Sequence, residues 1–257
     1  IFATVVIELQ VVYGRPYSEL LWLGTGLFLA FGVFSLPAGW LADRWSREGM
    51  MAVFFLGIGA TTTLTALART PIELAAGLFI MGIFASIYHP VGIAMVADKG
   101  GRVGMRLAVN GVWGNVGVAS AALVTGFLIE HSGWRTAFIV PGLLTVALGV
   151  GYVAFVKLSP AAATTTRKGG GEEFRHGLSR QTLLYVSGII FFTTLLGSLI
   201  FHSMTFALPK IIAERVASIT TSPAEIGRFA FYVITAAAFA QIVVGYLLDH
   251  FSVRVIY

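Results

Sequence analysis

Ionisable side chains are scarce in this sequence, and three of them sit inside long apolar stretches where a charge is costly. Glu8 lies in Val6-Ile7-Glu8-Leu9-Gln10, His89 in Ile87-Tyr88-His89-Pro90-Val91, and His202 in Ile200-Phe201-His202-Ser203-Met204. A carboxylate in such surroundings can hold a coupling proton or a cationic ligand, though Glu8 equally suits an outer headgroup position near the loop that follows it. An imidazole titrates near neutral pH, so His89 and His202 can carry protons or hydrogen-bond a substrate. The alternative for His89 is a satisfied packing histidine at a kink. Pro90 sharpens the case for His89, because proline removes a backbone donor, distorts the helix and frees a carbonyl nearby. Asn115 joins the candidates, since an unpaired amide in hydrocarbon is expensive.

Other chemistry is excluded by what is missing. The chain has no cysteine, so disulfides, thiolate metal sites and cysteine nucleophiles are ruled out. It has no metal-ligand cluster, nucleophile elbow or phosphate loop, so neither an enzyme nor a bound cofactor is expected. The net charge of +5 comes from basic residues scattered through short connections, without the basic stripe of a nucleic-acid binder.

Candidates of this kind need apolar elements around them, and composition supplies these. Of 257 residues, 57% are apolar and 11% are charged, against about 25% charged in a soluble domain. Lipid must cover much of the surface. Eight apolar segments follow: a remnant to about residue 12, then about 18–42, 50–68, 72–97, 105–129, 134–156, 182–208 and 224–248. Each full segment is long enough to cross a hydrocarbon core as a helix, and none alternates as a membrane strand would. Short connections make sequential helices antiparallel neighbours. The exception is the Gly/Thr-rich, charged stretch after the sixth segment, read as a linker over 158–181 between helical bundles at 1–157 and 182–257. The opening Ile1-Phe2-Ala3, apolar and without Met, suggests a chain cut inside its first helix.

Lys and Arg divide unevenly between the two sets of connections. Eleven fall with Arg44 and Arg47, Lys99 to Arg106, the linker and Arg254, and six fall opposite, so the first set is expected to be cytoplasmic. Gly39-Trp40-Leu41-Ala42-Asp43-Arg44-Trp45-Ser46-Arg47 closes the second segment on that side. Gly245-Tyr246-Leu247-Leu248-Asp249-His250-Phe251-Ser252 closes the eighth, matching at an offset of 206 residues. A match six segments later points to two duplicated halves.

On these residues the chain resembles the major facilitator superfamily, whose signature Gly-x-x-x-Asp-Arg-x-Gly-Arg-Arg/Lys is met by Gly39, Asp43, Arg44 and Arg47. Ser46 and Glu48 depart from it: Ser46 must make a tight turn without glycine's freedom, and Glu48 weakens the positive field. The resemblance implies an all-α membrane protein of two pseudo-symmetric six-helix bundles, the second incomplete here by about four helices. It assigns Asp43, Arg44 and Arg47 a gating role, the aspartate facing a helix end of the other half. Gly245 and Asp249 form the weaker second copy. Tyr88-His89-Pro90-Val91-Gly92 and Asn110-Gly111-Val112-Trp113-Gly114-Asn115-Val116-Gly117 look like the fosmidomycin-resistance branch. In the fifth segment, packing is the expected role of glycines 111, 114 and 117; Glu130 and Arg135 are expected at the surface. The fifth segment lacks the Gly-Pro pair of drug/proton antiporters, and Gly77 stands about where many of them carry an arginine. The implied activity is secondary transport of a small organic solute by alternating access, coupled to protons. Efflux is preferred to nutrient or organic-acid uptake, and a non-transporting receptor is the remaining alternative. The implied setting is a bacterial inner membrane, with the full-length protein acting as a monomer.

Overall fold

The computed structural model describes residues 1–97, 103–158 and 179–251. Among these the regular structure is helical: α1 (Phe2–Tyr13), α2 (Tyr17–Leu21), a short 3-10 turn (Trp22–Gly24), α3 (Thr25–Arg44), α4 (Arg47–Thr65), α5 (Pro71–Ala85), α6 (Tyr88–Ala97), α7 (Val103–Ser132), α8 (Thr136–Leu158), α9 (Arg180–Arg215) and α10 (Pro223–His250). Seven stretches are long and apolar enough to cross a membrane: 17–44, 47–65, 71–97, 103–132, 136–158, 180–215 and 223–250. With the shorter α1 they reproduce the eight expected segments, so this is a multi-pass membrane protein of the expected all-α class. Most of the linker expected at 158–181 lies outside the described residues.

Turn chemistry sets the helix ends. Gly14, at φ 60°, closes α1 in the left-handed region that costs glycine nothing. Ser46, Thr70, Ser179 and Ser222 each accept a backbone N–H in the first turn that follows, and Pro71 and Pro223 open their helices where a missing N–H is harmless. Ser46 corrects one expectation. Its backbone is extended (φ −169°, ψ 132°), so glycine's freedom is not needed there, and its hydroxyl caps α4 through Gly49 N–H at 3.0 Å.

The expected pairing of sequential helices holds only in part. The most extensive packing joins α7 to α10, α4 to α8, and α3 to α5. Glycines explain the choice, because in lipid helices associate through close backbone approach rather than hydrophobic burial. A side chain at Gly59 or Gly142 would strike the backbone of the facing helix between α4 and α8, and one at Gly82 would strike the Leu27 carbonyl of α3. Between α7 and α10 the contacts come from Gly104, Gly126, Gly227 and Gly245, with Gly111 facing Gln241. Gly114 and Gly117 have open space around them, so the stripe expected at 111, 114 and 117 is not the packing seam. Gly104, Gly111 and Gly126 share a face because they are separated by about two and about four turns.

A first core cluster gathers Phe2, Val5, Leu9, Leu74, Leu78 and Phe138 near the ends of α1, α5 and α8. From 180 to 207 α9 has no buried residues; Phe191, for example, is 71% exposed. α9 also continues past the apolar segment expected to end near 208. Lys210 and Glu214 pair at 3.3 Å on its last turns, where charged side chains extend a helix at little cost.

Candidate functional site

The two aspartate-bearing turns end α3 and α10 at the same end of the bundle, and the structure treats them differently. Asp249 reaches across to the first turn of α7. Its Oδ1 accepts Gly104 N–H at 3.1 Å and its Oδ2 accepts Met105 N–H at 2.8 Å. Unpaired N–H groups and the positive end of the helix dipole make this a favourable place for a carboxylate. Gly104 and Gly245 bring the backbones close enough for the short Asp249 side chain to span the gap, Gly245 meeting Ala108 and Gly104 O. Asp43 instead pairs with Arg47 at 3.1 Å within its own turn, its side chain 68% exposed. Arg44 lies over the Trp40 ring, 4.4 Å from its centroid. Gly39 packs on Pro90, an added Cβ lying 3.3 Å from the proline Cβ. Glu48 accepts the Ser46 hydroxyl at 3.0 Å beside the start of α4.

His89 sits two residues past the break between α5 and α6. Pro90 cannot donate to the Ser86 carbonyl four residues earlier; Ser35 Oγ on α3 lies 3.4 Å from it, but its single hydrogen goes to the Phe31 carbonyl at 2.6 Å. His89 stands edge-on to Phe31, with ring centroids 5.6 Å apart. His202 on α9 meets Phe28 in the same way at 5.3 Å. Phe28 and Phe31 are three apart on α3 and share a face, so the two histidines come to one side of α3 from distant parts of the chain. His202 Nδ1 is engaged with the Ser198 carbonyl at 2.9 Å; a carbonyl only accepts, so Nδ1 carries the hydrogen and Nε2 remains for other partners. A cavity of about 420 Å³ adjoins it, lined by Tyr17, Thr25, Phe28, His202, Phe206 and Lys210 among others.

The remaining candidates lie elsewhere. Asn115 lines a second cavity of about 300 Å³ with Phe201, Met204, Thr205 and Gln241. Glu8 lines a cleft of about 40 Å³ with Ile129, Thr221 and Pro223, at the far end of α7 and α10 from Asp249. No group of three or more His, Asp or Glu able to hold a metal occurs among the described residues.

Sequence reasoning missed three residues. Gln241, whose buried Oε1 has no partner among the described residues, is a lone amide in an apolar helix, a signal that was there to be read. Lys210, over the Tyr17 ring at 5.5 Å, hid at the end of its segment. Glu130 is exposed, as expected, but its Oε2 also accepts the Ser222 hydroxyl and Ala224 N–H (3.1 Å) at the start of α10, a contact its position beside a loop did not announce.

The sequence model of the Major Facilitator Superfamily matches residues 1–257. The chain belongs to the major facilitator superfamily. Its relatives include the puromycin resistance protein pur8 of Streptomyces alboniger, 33% identical over 53% of this chain and 28% of its own length. The tetracenomycin C resistance and export protein of Streptomyces glaucescens is 27% identical over 48% of this chain and 23% of its length. The probable sulfoacetate transporter SauU of Cupriavidus necator is 28% identical over 60% of this chain and 39% of its length. The chain thus spans about a quarter to two fifths of the length of these superfamily members.

Proposed function

We propose that this chain is part of a secondary transporter that moves a small organic solute across the membrane by alternating access, coupled to protons. The observation that carries the proposal is the Asp249 contact with α7. It joins the eighth apolar segment to the fifth, one from each proposed half, through bonds that water can replace when the halves part. Asp43, Arg44 and Arg47 are assigned the matching role in the first half, with Asp43 held by Arg47 until its partner helix end is engaged. The bundles are assigned to 1–157 and 182–257, and the Lys/Arg bias supports a cytoplasmic face at the Asp43 and Asp249 turns.

The substrate and proton path is assigned to the side of α3 that carries Phe28 and Phe31, where His89 and His202 meet it from different halves. Asn115 and Gln241 line the second cavity and supply hydrogen bonds there. Efflux is favoured because several relatives are named as resistance or export proteins. A second reading is uptake of an organic anion. It is supported by Lys210 and His202 lining the larger cavity and by the sulfoacetate relative.

Full-length protein in liposomes, given a pH gradient of either sign and a panel of amphipathic and anionic solutes, separates these readings. Gradient-driven flux that His202→Ala abolishes supports the site, and the productive gradient sign gives the direction. Saturable binding without flux under any gradient would favour a receptor and overturn the proposal.

A further inference from the structure

α7 and α10 are capped at both ends of their contact, each by a carboxylate from the other. At one end Asp249, in the last turn of α10, accepts two N–H groups of α7. At the other end Glu130, in the last turn of α7, accepts the Ser222 hydroxyl and the Ala224 N–H that begin α10. The helices therefore run antiparallel, and the two contacts form a reciprocal pair. Each carboxylate also sits at the C-terminal end of its own helix, where the helix dipole disfavours negative charge. Within its own helix neither position is favourable, and each gains its stabilisation from the facing N-terminus. Ser222 ties the second contact to the helix it caps, because the same oxygen accepts Glu225 N–H at 3.3 Å while its hydrogen goes to Glu130.

Packing beside Glu130 is as tight as that beside Asp249. A side chain on Gly126 would strike the Pro223 carbonyl, and one on Gly227 would meet the Ala122 carbonyl. Ile226 and Ile129 are 5% and 6% exposed there, so parting the helices at this end would uncover them.

We infer that Glu130 is a gating residue, the counterpart of Asp249 at the opposite end of the same helix pair, and that the transport cycle breaks the two contacts alternately. The inference rests on the alternating-access reading above. It adds a residue outside the Asp43 and Asp249 repeat, on a helix end where the duplicated motif has no counterpart.

The test uses the full-length transporter in nanodiscs, with a single reporter cysteine at each end of the seam: Ile226→Cys beside Glu130 and Ala108→Cys beside Asp249. Labelling by a water-soluble maleimide reads how often each end opens. Glu130→Gln is expected to raise labelling at 226 by about two- to fivefold, since the two bonds to this exposed oxygen lose their charge assistance, and to lower it at 108. Asp249→Asn is expected to do the reverse. Ser222→Ala removes one donor and should move the rates as Glu130→Gln does, by less; it carries the test should Glu130→Gln fail to purify as a monodisperse protein. Should Asp249→Asn shift the two rates oppositely while Glu130→Gln and Ser222→Ala leave them unchanged, the Glu130 inference falls and alternating access stands. Should every variant open both ends together, the inference and the alternating-access reading fall together.

Discussion

Replacing Asp249 by Asn removes the charge that two α7 amides point at and leaves one acceptor oxygen of nearly the same size. In the native chain Gly104 N–H and Met105 N–H lie 3.1 and 2.8 Å from separate carboxylate oxygens. The amide of Asn keeps one of these bonds in neutral form and turns its NH2 toward the other donor. The loss is one charge-assisted bond plus the carboxylate's attraction to the helix end, together about 2 kcal/mol. That corresponds to about a thirtyfold shift from closed to open at this end. Hydrogen exchange of the peptide holding Gly104 and Met105, in purified full-length protein, measures it directly. The variant should exchange these amides up to about thirtyfold faster, whereas Asp43→Asn should leave them unchanged because Asp43 is bound to Arg47. Unchanged exchange at Gly104 and Met105 in a folded Asp249→Asn variant would refute the reasoning, as would an equal effect from Asp43→Asn.

Three further outcomes follow from the packing and the caps. Gly245→Leu places a branched side chain against Ala108 and the Gly104 carbonyl, so α10 must move off α7; a melt in detergent should show a drop of several degrees, about 1–3 kcal/mol of overpacking. Ser46→Ala removes the α4 cap and should cost about 1 kcal/mol in the same assay, while Ser46→Gly, the residue of the superfamily signature, should cost only about a few tenths. Ser35→Ala removes a hydroxyl whose hydrogen goes to Phe31 O at 2.6 Å, with the Ser86 carbonyl 3.4 Å away, so amide exchange around the α5–α6 break should stay nearly unchanged.

The spans were legible because a bilayer imposes a length and a composition that few other constraints blur. The repeat was legible because Gly39 with Asp43 and Gly245 with Asp249 keep their spacing over 206 residues. The helix partners were not legible. Nothing in a short loop says that α4 will prefer α8 to α5; that preference comes from Gly59, Gly142 and Gly149 lining up only once both helices exist. The same holds for the fifth segment, where glycines spaced by three drew attention away from Gly104 and Gly126, which do the packing. Which helix end Asp249 would reach was not legible either, because a signature records residue types and not the partner that lies within reach. The surface position of Glu130 was legible but its partner was not: an exposed glutamate beside a loop looks the same in sequence whether or not it also reaches the first turn of another helix.

On the proposed alternating-access cycle, the reciprocal capping of α7 and α10 bears on how the seam would keep its two states close in energy. A buried apolar seam alone would favour the fully closed arrangement, since every parting exposes surface and gains nothing in return. Carboxylates at both ends change that balance. When the Asp249 end parts, the carboxylate and the Gly104 and Met105 amides pass to water, which replaces most of each bond, so the net loss is far smaller than the bonds' intrinsic strength. The polar ends thus open at modest cost. The glycine contacts between them, which water cannot replace, resist separation of the whole seam. A seam built in this way opens at one end more readily than it dissociates, and in the proposed cycle a ligand with a small preference for one open state would suffice to shift it.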